Sequence, residues 1–113
     1  MFARLMGLKT VSPDELRQLL ASKAATAIDV NSVQSWKTAH VPDALHLDPA
    51  GYVESDLPQD KSATLVFYCS NVMCRKAPNA ARRAKSLGYV NALVMSAGIK
   101  GWRAAELPTE SAP

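Results

Sequence analysis

The chain has 113 residues, of which 48% are hydrophobic and 20% charged, with a net charge of +3 and two cysteines. That length suits one domain with a single buried core, and the composition is that of a globular protein. No apolar run is long enough to span a bilayer, no basic stripe is interleaved with aromatics as nucleic-acid binding requires, and His40 and His46 have no ligand-like spacing to the cysteines, so neither membrane, nucleic acid nor metal is expected.

The opening stretch, MFARLMGLKTVSPDEL, has no sustained apolar segment and no clear small-residue cleavage site, and reads as the mature N-terminus of a cytoplasmic protein. Within it, Ser12 is a good N-cap, Pro13 fits the first helical position and Glu15 completes a capping box, so a helix starts here with Leu16, Leu19 and Leu20 on one face. TAIDV (26–30) reads as a short buried strand. Ser32 then caps a brief helix over 33–38, and HVPDALHL (40–47) is a turn followed by a short strand.

A loop-rich connection over 48–62 leads to ATLVFY (63–68), apolar throughout after Thr64 as a central parallel strand covered on both faces would be. The next helix begins near Arg75 or Lys76, because Pro78 fits only a first turn. It presents Ala77, Ala80, Ala81, Ala84 and Leu87 inward and ends at Gly88. VNALVM (90–95) is another strand, and a last short helix precedes Pro108. The alternation predicts an α/β fold, a single parallel sheet flanked by helices on both faces. One domain spans 1–113, with its core over about 12–104 and residues 108–113 as a frayed tail.

Charge is unevenly spread. Residues 1–68 hold six Lys/Arg and eight Asp/Glu, whereas residues 69–113 hold seven and two. The positive half begins at Cys69, which favours an anionic partner near that cysteine. Cys69 directly follows the central strand and precedes a helix, the usual place for a site in open parallel sheets. Unpaired N–H groups and the partial positive charge at a helix start favour thiolate over thiol. A curled loop from Ser70 to Cys74 would turn amides inward as an anion nest, with Arg75 as a fixed cation at its end and Lys76 beside it. The candidate nucleophile is therefore Cys69, and the candidate substrate-binding residues are Ser70, Asn71, Val72, Met73, Cys74, Arg75 and Lys76. The plainer reading makes Cys69 a small buried hydrophobe. Asn71 either offers a side-chain amide to the bowl or simply suits a tight turn. Cys74 is a candidate resolving cysteine if the two sulfurs meet; the reading preferred on sequence alone leaves it an inert thiol directed into the core beneath the loop. A structural disulfide is not expected in a cytoplasmic chain.

Three stretches in order resemble the single-domain rhodanese family of sulfurtransferases. IDVNSVQSW is similar to I-D-V-R-x-x-x-E/W and AHVPDALHL to G-H-I-P-G-A-x-x-I. LVFYCSNVMCRKAPNAARRAKSLGYVNALVMSAGIKGW is similar to the family's strand, loop, helix, L-x-x-x-G-Y/F-x-x-V-x-x-L-x-G-G and closing tryptophan. The resemblance covers about Ser12 to Trp102. It implies a rhodanese-like fold and a Cys69 persulfide during turnover. The implied partners are a small anionic sulfur donor and a thiol or cyanide acceptor, which includes an acceptor protein, with no cofactor. It also implies that Asp29 braces neighbouring loops.

The departures are Asn31 where arginine is common, Ala39 and Asp43 where glycines are common, and a loop one residue longer than usual, Cys69 to Arg75, without glycine. That C-x5-R spacing resembles the phosphatase and arsenate reductase branch of the same fold, although Tyr68 stands where that branch usually has histidine. A tetrahedral oxyanion is thus an alternative ligand, and a non-catalytic binding module is another alternative function.

Overall fold

The computed structural model describes residues 7–113, so the reading of residues 1–6 as a mature N-terminus lies outside it. The elements in chain order are α1 (Pro13–Ala21), β1 (Thr26–Asp29), α2 (Val33–Thr38), β2 (Leu45–His46), a 3-10 turn (Glu54–Asp56), β3 (Leu65–Tyr68), α3 (Lys76–Ser86), β4 (Ala92–Val94) and α4 (Gly98–Ala104). None of these helices is long and apolar enough to cross a membrane.

The local signals act as their chemistry predicts. The Ser12 side chain accepts from the Glu15 amide at 3.1 Å, and the Glu15 carboxylate accepts from the Ser12 amide at 2.8 Å, which satisfies two of the free donors at the start of α1. Ser32 caps α2 in the same way through the Ser35 amide. Gly88 follows α3 at φ 102°, the left-handed conformation that ends a helix cheaply only in glycine. Asp43 adopts φ 63°, a left-handed turn conformation that aspartate reaches more readily than most residues.

The four strands form one parallel sheet in the order β2-β1-β3-β4, with Ala27 opposite Val66 and Phe67 opposite Val94. Alternation along β3 builds two cores. Leu65 and Phe67 point to one face, where Ala77, Ala80, Ala81 and Ala84 of α3 cover them together with Tyr52 and Tyr89. Val66 and Tyr68 point to the other, against Leu16 of α1, Met95, and Trp102 of α4. The alanine stripe of α3 lets its backbone lie close to the sheet. The Tyr52 hydroxyl donates to Ala80 O at 2.7 Å, and burial pushes its pKa up to about 12. Arg83 donates from Nε to Tyr52 O at 3.0 Å.

The tail departs from expectation. Rather than fraying, Glu110 forms an antiparallel bridge with His40, each amide donating to the other's carbonyl at 2.9 Å, and the Ala112 amide donates to Lys37 O. The Glu110 carboxylate also accepts from the Asp43 amide at 2.9 Å. A chain terminus is expected to be loose, but backbone groups of the 37–43 turn offer this one partners.

Candidate active site

Cys69 leaves the carboxyl end of β3 and opens the loop that runs to α3. Two helices hold that loop. Its far end becomes the first turn of α3 at Lys76. Its near end is held by α4, whose Ile99 amide donates to Cys69 O at 2.9 Å and whose Lys100 amide donates to Ser70 O at 3.0 Å. Gly98 makes this approach feasible: a Cβ there would lie 2.6 Å from the Ser70 carbonyl carbon and oxygen and 2.7 Å from the Asn71 nitrogen, and its φ is +67°.

The loop itself differs from the open bowl expected of the sequence. Cys69 and Cys74 are joined in a disulfide, with Cα atoms 6.4 Å apart, inside the range that such bonds span. The preferred reading of Cys74 as an inert thiol beneath the loop is therefore corrected: the sulfurs meet, because the intervening turn folds the chain back on itself. Asn71 shapes that turn. Its side-chain Oδ1 accepts from the Met73 amide at 2.9 Å, and its carbonyl accepts from the Cys74 amide at 3.2 Å. Asn71 is thus a turn former in this state, and two of the amides assigned to the anion nest are committed within the loop. The bond joins the candidate nucleophile to the candidate resolving cysteine. In this oxidised form Cys69 is only 3% exposed, packed with Phe67 and Ala77.

Of the other loop residues, Ser70, Val72, Met73, Arg75 and Lys76 lie at the surface, with Met73 68% exposed, and Asn71 is half-buried. The Ser70 hydroxyl donates to Oδ1 of Asn31 at 3.1 Å. Asn31 is buried, its amide donates to Asp29 Oδ1 at 2.8 Å, and its carbonyl accepts from His46 Nε2 at 2.7 Å. Behind it, Asp29 Oδ2 accepts from the Tyr68 hydroxyl at 2.8 Å, and that hydroxyl accepts from the Val41 amide at 2.9 Å. Burial raises the Asp29 pKa against the lowering effect of these hydrogen bonds, and burial together with the nearby Asp29 carboxylate raises that of Tyr68. Asp29 therefore braces the ends of β1 and β3 and the 40–47 turn. His40 stacks on Trp36 with ring centroids 4.3 Å apart and donates from Nδ1 to Trp36 O at 2.7 Å. Trp102 packs on the α1 and α4 side of the sheet and donates to Pro108 O at 2.7 Å.

Two contributors to the loop's placement were not singled out by sequence reasoning. Asn31 stood out only as a replacement for arginine; the polar side chain at a strand end was the available signal. Gly98 was visible only as one member of a motif.

Comparison with known proteins follows the same outline. A family model described as a rhodanese-like domain matches residues 12–105. The thiosulfate:glutathione sulfurtransferase of Homo sapiens is 32% identical over 113 residues, covering 87% of this chain and 96% of that protein. The uncharacterized protein slr1261 of Synechocystis sp. is 30% identical over 100 residues, covering 88% of this chain and 55% of that protein, so this chain spans about half that relative's length. The crystal structure of the BH2092 protein from Bacillus halodurans superposes with a TM-score of 0.83 at 21% identity, over 91% of this chain and 77% of that one.

Proposed function

The chain belongs to the rhodanese-like domain family, and from that membership we propose that it moves a sulfane sulfur from a thiosulfate-like or persulfide donor to a thiophilic acceptor through a persulfide on Cys69. The working form is the reduced one. Opening the disulfide returns a thiol at a strand-to-helix junction, where ionisation is favoured. The Cys69 thiolate attacks the outer sulfur of the donor. The bond within the donor breaks, sulfite leaves with the electron pair, and Cys69 keeps the outer sulfur. A thiol or cyanide then attacks that sulfur and regenerates the thiolate. Loop amides released from the internal turn, with Arg75 and Lys76 at the helix start, supply positive potential for the anionic donor.

The observation that carries this reading is the position of Cys69, at the carboxyl end of the central strand β3 and one loop before the start of α3. The human relative acts, by its name, on thiosulfate and glutathione, which supports an anionic sulfur donor and a thiol acceptor here. One observation favours a second reading: the C-x5-R spacing from Cys69 to Arg75 makes a wider ring that suits a tetrahedral oxyanion, as in a phosphatase or arsenate reductase.

Intact mass separates the readings. Cys74→Ser protein, reduced, freed of reductant and exposed to thiosulfate, gains about 32 Da on Cys69, and Cys69→Ser gains nothing, for a sulfur nucleophile of this kind. Turnover of an aryl phosphate or arsenate without that adduct establishes the oxyanion chemistry instead. Neither adduct nor turnover leaves a binding module.

A further inference from the structure

The second cysteine gives the site an outcome that a single nucleophile lacks. We infer that Cys74 discharges the sulfur carried on Cys69 as hydrosulfide, so that the domain also reduces a sulfane sulfur at the expense of a dithiol. The inference rests on the persulfide reading above and adds a step to it.

Three observations support the step. Cys74 reaches the inner sulfur, since the bond between the two Sγ atoms is the one such a reaction leaves behind. The turn that brings them together is built from the loop's own groups: Asn71 accepts the amides of Met73 and Cys74. The carbonyls of Cys69 and Ser70 are held by α4 while Cys74 lies one residue before the Arg75 cap of α3, so the sulfurs are presented to each other by two anchored ends. Reaction between groups held in one short loop gains the large effective concentration of an intramolecular step.

The step balances. The Cys74 thiol loses its proton and attacks Sγ of Cys69. The bond between Sγ and the outer sulfur breaks, and its electron pair leaves with the outer sulfur, which takes up the proton as hydrosulfide. The outer sulfur is reduced and the cysteine pair is oxidised to the disulfide. A dithiol then exchanges with the Cys69–Cys74 bond, returning both thiols and leaving as its own cyclic disulfide. With thiosulfate as donor, the sum converts thiosulfate and a dithiol into sulfite, hydrogen sulfide and an oxidised dithiol.

The test is a single turnover without oxygen or added thiol. Reduced protein is exposed to thiosulfate and passed through a desalting column, and hydrosulfide, free thiols and intact mass are followed. The wild type is expected to release about one hydrosulfide per chain, lose both free thiols and settle about 2 Da below its reduced mass as the disulfide. Cys74→Ser and Cys74→Ala are expected to keep the ~32 Da adduct and to release no hydrosulfide until a thiol is added. A wild type that retains the adduct as long as the variants do, or that releases hydrosulfide no faster than they do, overturns the inference and leaves sulfur transfer standing. A wild type that forms the disulfide only with peroxide, without hydrosulfide, also overturns it, since the pair then resolves an oxidised Cys69 instead. Absence of the adduct from wild type and both variants, with no hydrosulfide from the wild type, overturns the persulfide reading itself.

Discussion

The Ser70 hydroxyl donates to the Asn31 side chain across two strands that are neighbours in the sheet, so the residue after the candidate nucleophile is tied to the end of β1. Among the described residues the Asn31 side-chain nitrogen is buried without a close hydrogen-bond partner, while its oxygen accepts from Ser70. Ser70→Ala removes that bond and strands a second buried polar atom. The expected cost is about 1–2 kcal/mol in urea unfolding, and the reduced variant loads sulfur more slowly, as intact mass against time will show.

Gly98 is the point at which α4 touches the sulfur loop. Gly98→Ala meets the Ser70 and Asn71 backbone and places an alanine at φ +67°. The conformation alone costs about 1–2 kcal/mol, and the overlap adds to it. The variant is expected to lower the melting temperature by several degrees and to displace the loop. Its alkylation of Cys69 after reduction is therefore expected to be faster than in the wild type.

Tyr68 bridges the Asp29 carboxylate and the Val41 amide. Tyr68→Phe leaves an acceptor and a donor unpartnered in a sealed space, and the expected loss is about 2–4 kcal/mol. A loss under half a kilocalorie in denaturant unfolding would show that the bridge contributes little to holding β1, β3 and the turn together.

The Asp29 carboxyl has its pKa raised in the fold above the ordinary 3.8, chiefly by burial. Between those two values the folded chain holds more protons than the unfolded one, so stability falls as pH rises through the window and levels off above the folded-state pKa. The contribution is fully present below 3.8. Asp29→Asn removes this slope. Unfolding free energies measured from about pH 4 upward are expected to fall with pH more steeply in wild type than in the variant.

The disulfide closes a short loop, and the chain-entropy relation for so few residues gives about 2 kcal/mol. Reduction should lower stability by up to that amount and raise hydrogen exchange between Ser70 and Arg75 first. It should also convert a chain inert to thiosulfate into one that releases sulfite from it.

Much of the architecture was legible because it rests on local chemistry. The Ser12 and Glu15 capping box, Pro78 in a first turn, Gly88 at a helix end and the all-apolar β3 each point to one conformation, and together they place Cys69 at the carboxyl end of a parallel strand. What the chain order hid was contact between distant segments. The Gly98 contact with Ser70 joins segments 28 positions apart in sequence. The tail residues look dispensable until the bare backbone at His40 is seen to receive them. The sulfur pair lay between: the spacing permitted a bond, but only the turn shaped by Asn71 decides that the two atoms meet.

The chain has two tryptophans, and their surroundings differ. Trp36 is half-buried and stacks on the His40 imidazole, whereas Trp102 is buried in the core on α4, the helix that grips the sulfur loop. Removing the first indole by Trp36→Phe leaves an emission signal that belongs to that helix alone. The fluorescence of Trp102 then becomes a built-in optical gauge of whether the grip holds when the cysteines part.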